Sequence, residues 1–184
     1  MKMFLIGFLV GILLVVGGAY FYFSSGMAPV ATSDPPMPFE GTVARMALRA
    51  RLKKQTAPSP LVQPDEQNLL AGADIYKKNC AACHSLPNQP KTTFEQGMFP
   101  PPPELFRGKG VTDDPPWITY WKALNGIRLS GMPSFKNKLT ETQLWQVAEL
   151  LAHANDLPES VKNELMPPPP EPSSTPAPAE KHKP

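Results

Sequence analysis

The sequence predicts an all-α fold with long connecting loops, and three observations carry that class. Several segments place apolar side chains at the three- and four-residue spacing of a helix. No segment alternates apolar and polar residues with the period of two that a half-buried strand requires. Helix punctuation stands where the periodicity starts and stops: Thr140-Glu141-Thr142-Gln143 reads as a capping box, and Gly126 follows a helical run that Pro115-Pro116 precedes.

Taken in order, the 184 residues divide into four parts. Residues 1–24 are an apolar segment in which Met3 to Phe23 carry no charge. That run is long enough to cross a hydrocarbon layer as a helix. Lys2 precedes it, and Tyr20-Phe21-Tyr22-Phe23 crowd its far end as an interfacial aromatic belt does. The alternative is a cleaved signal peptide, but the apolar run exceeds the usual core of about 7–15 residues. The best small-residue cleavage pattern, Gly26-Met27-Ala28, also runs into Pro29. A retained single-pass anchor is therefore expected, and either reading exports the rest of the chain. Gly7 and Gly11 form a small-xxx-small pair that suits packing against another membrane helix.

Residues 25–64 are a proline-punctuated spacer, stiffer than a Gly/Ser linker. Within it, Gly41 to Gln55 lacks proline and is rich in helix formers, with Val43, Met46, Ala47 and Ala50 on one side. Arg45, Arg49, Arg51, Lys53 and Lys54 occupy the rest. This short basic helix suits anionic headgroups, free solvent or a partner protein.

Residues 65–158 are the expected compact domain. It opens with a helix whose stripe is Leu69, Gly72, Ala73 and Tyr76, where Gly72 leaves room for another helix to cross. A second helix is expected over Trp117 to Asn125, with Ile118, Trp121 and Leu124 on its apolar face. The capping box opens a closing helix with Leu144, Val147, Ala148 and Leu151 as its buried stripe, ended by Asn155 and Pro158. Residues 159–184 hold eight prolines and are expected to be a disordered tail, with Pro167 to Pro170 as a polyproline docking segment or simply solvated chain.

Charge says little about partners. The whole chain carries a formal +2, and residues 65–158 hold nine Lys/Arg against ten Asp/Glu. Nucleic acid is not expected, because the basic run is short and lacks a recognition motif.

One stretch names a chemistry. Cys80-Ala81-Ala82-Cys83-His84 has the spacing of a c-type haem attachment site: two thiols add to the vinyl groups of one porphyrin, and the next residue coordinates its iron. A redox disulfide would favour a strand-turn-helix setting. A structural zinc site would need four Cys/His ligands, whereas these are the only two cysteines, and His153 and His182 stand apart. The expected cofactor is one covalent haem c with His84 as proximal ligand.

The sixth ligand must come from elsewhere in the chain. Gly131-Met132-Pro133 leads, forty-eight residues beyond His84. Glycine allows close backbone approach to the porphyrin, and proline restricts Met132. Met98, fourteen residues beyond His84, and His153 are the alternatives. A carbonyl of Pro100-Pro101-Pro102-Pro103 is a candidate acceptor for the second His84 ring nitrogen, since ligating histidines are usually oriented in this way. Trp117, Trp121, Arg107 and Arg128 are candidate partners for the haem propionates.

With these residues in hand, roughly residues 66 to 158 resemble the class I cytochrome c family, in particular bacterial membrane-anchored monohaem members. The matching pieces are the helix with Gly72 and Tyr76, CAACH at 80–84, GMPSF at 131–135, and LTETQLWQVAELLAHANDLP at 139–158. The resemblance implies a small fold of three or more helices wrapped round one covalent haem. It further implies that the closing helix crosses the opening one near the small residue, setting Trp145 or Leu144 against Gly72 and Tyr76. The four-proline run and WITYWKALNGIRLSGMP resemble haem subunits of respiratory oxidases and dehydrogenases.

The function expected is electron transfer rather than enzymatic turnover. His/Met ligation raises the potential relative to bis-His ligation and leaves no open iron position. The protein would be tethered at the periplasmic face of a bacterial inner membrane, relaying electrons between respiratory or dehydrogenase partners. The alternatives are a fixed haem subunit of a larger membrane oxidoreductase and a haem-based gas or redox sensor.

Overall fold

The computed structural model describes residues 1–106 and 114–166, and every regular element among them is a helix. They are α1 (Lys2–Ser24), α2 (Glu40–Lys53), α3 (Glu66–Asn79), α4 (Ala81–His84), α5 (Thr93–Gly97), α6 (Pro116–Asn125), α7 (Glu141–Ala152) and α8 (Glu159–Glu164). α1 is 23 residues with none buried, and an 18-residue stretch of it has mean hydropathy 2.5, so it is long and apolar enough to cross a membrane. α2 covers the basic stretch of the spacer.

The helical domain is organised by α3 and α7. Asp65 starts α3, its carboxylate accepting the Asn68 backbone N–H at 2.9 Å. Thr140 starts α7 through the expected capping box: Gln143 N–H donates to Thr140 Oγ1 at 3.2 Å, and Thr140 N–H donates to Gln143 Oε1 at 2.9 Å. The two helices cross at Gly72, where a Cβ would overlap the Gln146 carbonyl oxygen and stand 3.1 Å from Leu150 Cβ.

That crossing corrects one expectation. Gln146 and Leu150 meet Gly72, while Leu144 and Trp145 turn to α6. A helix advances about 100° per residue, so Val147, Leu150 and Leu151 face α3 with Leu69, Ala73 and Tyr76. Leu144, Trp145 and Ala148 face Tyr120 instead, with the Tyr120 and Trp145 rings stacked at 4.3 Å. One helix thus closes two apolar clusters.

A second correction concerns the chain beyond Pro158. Residues 159–166 are not solvated tail: α8 packs on α3, with Val161 and Leu165 buried in its cluster. Glu164 pairs with Lys77 at 2.7 Å, and Ser160 hydrogen-bonds Glu66. Two apolar side chains four residues apart suffice to seat one helical turn against an existing core. The remaining tail, with Pro167 to Pro170, lies outside the described residues, as does Arg107.

Candidate haem-attachment site

Cys80 is the joint between α3 and α4. Its N–H ends α3 on the Tyr76 carbonyl at 2.8 Å, and its own carbonyl accepts from Cys83 N–H at 3.0 Å and His84 N–H at 2.9 Å. Both thiols and the imidazole therefore sit on one tight turn. The cysteines are free and half-buried. Burial, with Cys83 alongside, pushes the Cys80 thiol up to about 12, so it is a neutral thiol rather than an exposed reactive thiolate.

His84 is oriented by the proline run, as the sequence suggested. Its Nδ1 lies 2.8 Å from the Pro103 carbonyl, which can only accept, so the proton is assigned to Nδ1 and the Nε2 lone pair is left for a metal. Burial lowers the His84 pKa, opposed by the Pro103 hydrogen bond and the charge of Glu95, and so favours the neutral ligand form.

Ser85, immediately after the turn, has φ +56 and ψ 167, a region that residues other than glycine rarely enter. Tyr76 and Glu95 hold it there, and Thr92 braces the turn before it. Tyr76 Oη donates to the Ser85 carbonyl at 2.8 Å, and the Tyr76 ring packs edge-on against Phe106 at 5.0 Å. Ser85 Oγ donates to Glu95 Oε2 at 2.7 Å. Thr92, the N-cap of α5, donates to the Ala82 carbonyl inside the turn.

Glu95 is 2% exposed, an enclosed carboxylate beside an axial-ligand candidate. Its Oε1 lacks a well-aligned hydrogen bond and is compensated by Lys91 Nζ at 3.3 Å. Burial pulls its pKa upward, but Ser85, Lys91 and the Thr92 backbone outweigh that and hold it below the ordinary 4.5. The sequence reading missed Glu95. Thr92-Thr93-Phe94-Glu95 has capping-box spacing, which points to a surface helix start, whereas the Glu95 side chain turns away to Ser85. Tyr76 was read only as a core ring, without the role of its hydroxyl.

The Met132 loop is pinned to the end of α6. Gly126 has φ +67, and a Cβ there would lie 2.7–2.9 Å from backbone atoms of Met132, Pro133 and Ser134, so only glycine fits. Ile127 N–H donates to the Met132 carbonyl at 3.2 Å, Phe135 N–H to the Ala123 carbonyl at 3.0 Å, and Ser134 Oγ to the Leu124 carbonyl at 2.6 Å. Met98 reaches the loop that carries Met132: its methyl occupies the space a Gly131 side chain would fill. His153 caps α7, its Nδ1 2.9 Å from the Glu149 carbonyl of the preceding turn. Trp117 and Trp121 are half-buried on α6, and Arg128 is exposed.

These residues fit a covalent haem. Two unpaired thiols share a turn with an imidazole whose free nitrogen is its metal-binding one, and Gly131 leaves a side-chain-free backbone beside the Met98 thioether. Residues 67–151 match the family model described as cytochrome C oxidase, cbb3-type, subunit III. That stretch is a c-type cytochrome domain. No curated protein and no solved structure matches the chain. The match begins within α3 and ends within α7, so it covers the cytochrome turn and its helix pair while leaving α1, α2 and α8 outside. As a cytochrome domain it is a haem-based electron-transfer module.

Proposed function

We propose that the chain carries one haem c, bound through thioethers to Cys80 and Cys83 with His84 and Met132 as axial ligands, and that it relays single electrons at a membrane. The observation that carries this reading is the Pro103 carbonyl on His84 Nδ1, 2.8 Å away, on the turn that bears both thiols. Haem held there supplies reversible one-electron exchange between ferric and ferrous iron. The protein's share is to fix the imidazole through Pro103, hold the attachment turn through Tyr76 and Glu95, and present Met132 from a loop tied to α6. An iron closed by imidazole and thioether suits outer-sphere transfer rather than substrate turnover.

In this proposal α1 tethers the cytochrome to the inner membrane with the haem domain in the periplasm. That orientation follows from an uncharged span ahead of a domain whose haem is attached outside the cytoplasm. The donor and acceptor are respiratory or dehydrogenase partners. A second reading, a fixed haem subunit of a larger oxidoreductase, is favoured by the match to an oxidase subunit family. Mild detergent extraction separates them: comigration with a large enzyme supports the subunit, and a small free species supports the relay.

Met132→Ala tests the ligand set. It should abolish the sulfur-to-iron charge-transfer band of the oxidised protein and lower the potential. An unchanged spectrum would transfer the role to Met98 or His153.

A further inference from the structure

α2 carries a surface that the cytochrome function leaves unexplained. Val43 and Met46 are 55% and 62% exposed, and with Ala47 and Ala50 they form one apolar stripe at helical spacing. Leu52, on the opposite side of the helix, is buried. The helix therefore has an inward side and still shows an apolar stripe outward. Arg45, Arg49 and Lys53 follow one border of that stripe at four-residue spacing, and Arg51 lies beyond the other. Thr42, Arg45, Met46, Arg49, Ala50 and Lys53 line one shallow groove.

The cations have no acidic partner within their own segment. Between α1 and the end of α2 the only acids are Asp34 and Glu40. Asp34 accepts the Val30 and Ala31 N–H groups at 2.9 Å each, and Glu40 accepts the Met37 N–H at 2.9 Å. The closely packed helix pairs run among α3 to α8 and leave α2 aside.

We infer that this face of α2 lies on the anionic lipid headgroups of the membrane that α1 enters, with the apolar stripe at the headgroup–acyl boundary and the arginines on lipid phosphates. The chemistry is complementary: an apolar strip bordered by cations matches an anionic interface, whereas a purely acidic protein surface would leave Val43 and Met46 unburied. Reach is satisfied, because the residues from 25 to 39 span at most about 50 Å and keep α2 concentrated at the membrane that holds α1. The inference rests on reading α1 as an anchor.

The full-length cytochrome is reconstituted into vesicles of phosphatidylcholine alone or mixed with phosphatidylglycerol, and flotation and amide hydrogen exchange over residues 40–53 are measured. Flotation with both vesicles and at least about tenfold slower α2 exchange only with phosphatidylglycerol is the expected result. The protection should vanish at about 1 M salt, where screening extends only about 3 Å, and in Arg45→Gln/Arg49→Gln. Flotation with equal exchange in both vesicles overturns the lipid contact and leaves the anchor standing. Failure to float overturns both. Protection seen only in native membranes, and in neither vesicle, would assign the face to a protein and overturn the inference.

Discussion

Glu95 is the residue whose environment departs furthest from what its type predicts. An anionic side chain 2% exposed normally needs several partners, and here Ser85 Oγ and Lys91 Nζ supply them. Its charge stabilises positive charge at His84, and therefore the ferric state of an iron bound there. Glu95→Gln should raise the midpoint potential and, by weakening a buried charged hydrogen bond, cost about 1–3 kcal/mol of stability. The pH dependence has a definite sign. The folded-state pKa lies below the ordinary 4.5, so the carboxylate's contribution is complete above that value and is lost as the pH falls through the folded one. Urea titrations should show the wild type losing stability below about pH 4.5 more steeply than the variant. Parallel acid curves with an unchanged potential would reduce Glu95 to packing. At this scale the turn bearing Cys80, Cys83 and His84 was legible because the three residues are nearly contiguous in sequence. Pro103 was legible as a family of four carbonyls, since proline removes the competing donor. Glu95 was not, because its partner Ser85 owes its position to a positive φ that no local pattern announces.

Among the elements, the α3–α7 crossing carries the domain. At Gly72 the facing backbone is Gln146, with no flexible side-chain end to move aside. Gly72→Ala should cost about 1–3 kcal/mol by overpacking, measured as a lowered denaturation midpoint with an unchanged m-value. An unaffected midpoint would mean that the helices separate at little cost. α8 offers a contrasting test. Leu165 is 2% exposed, so Leu165→Ala should cost about 2–5 kcal/mol, whereas a residue in a solvated tail would cost almost nothing. Helix starts and the buried stripes of α3 and α7 were readable because caps and periodicity are local. The direction in which α7 presents Trp145 was not, since the side chain sits at the border of two faces and α6 decides between them. α8 escaped notice because six residues followed by a proline run resemble spacer in composition, and only the waiting cluster on α3 makes Val161 and Leu165 core.

At the scale of the whole molecule, the proposed function gives α1, the spacer and the cytochrome domain separate shares of electron transfer at a membrane. With α2 free, the proline-rich stretch would let the cytochrome swing over a wide radius. With α2 on the headgroups, only the residues from 54 to 64 remain as tether, a reach of about 40 Å. The cytochrome would then sample partners close to the membrane plane, as a relay between membrane complexes or a subunit of one requires. The electron-transfer reading depends on the porphyrin being bonded to the protein. The most direct measurement is haem-stained denaturing electrophoresis of the chain from a host competent to attach haem, run beside Cys80→Ala/Cys83→Ala. The wild-type band should stain after acid-acetone extraction and the double variant should not. A wild-type band that loses its haem to the solvent, or a double variant that keeps it, would contradict covalent attachment at this turn.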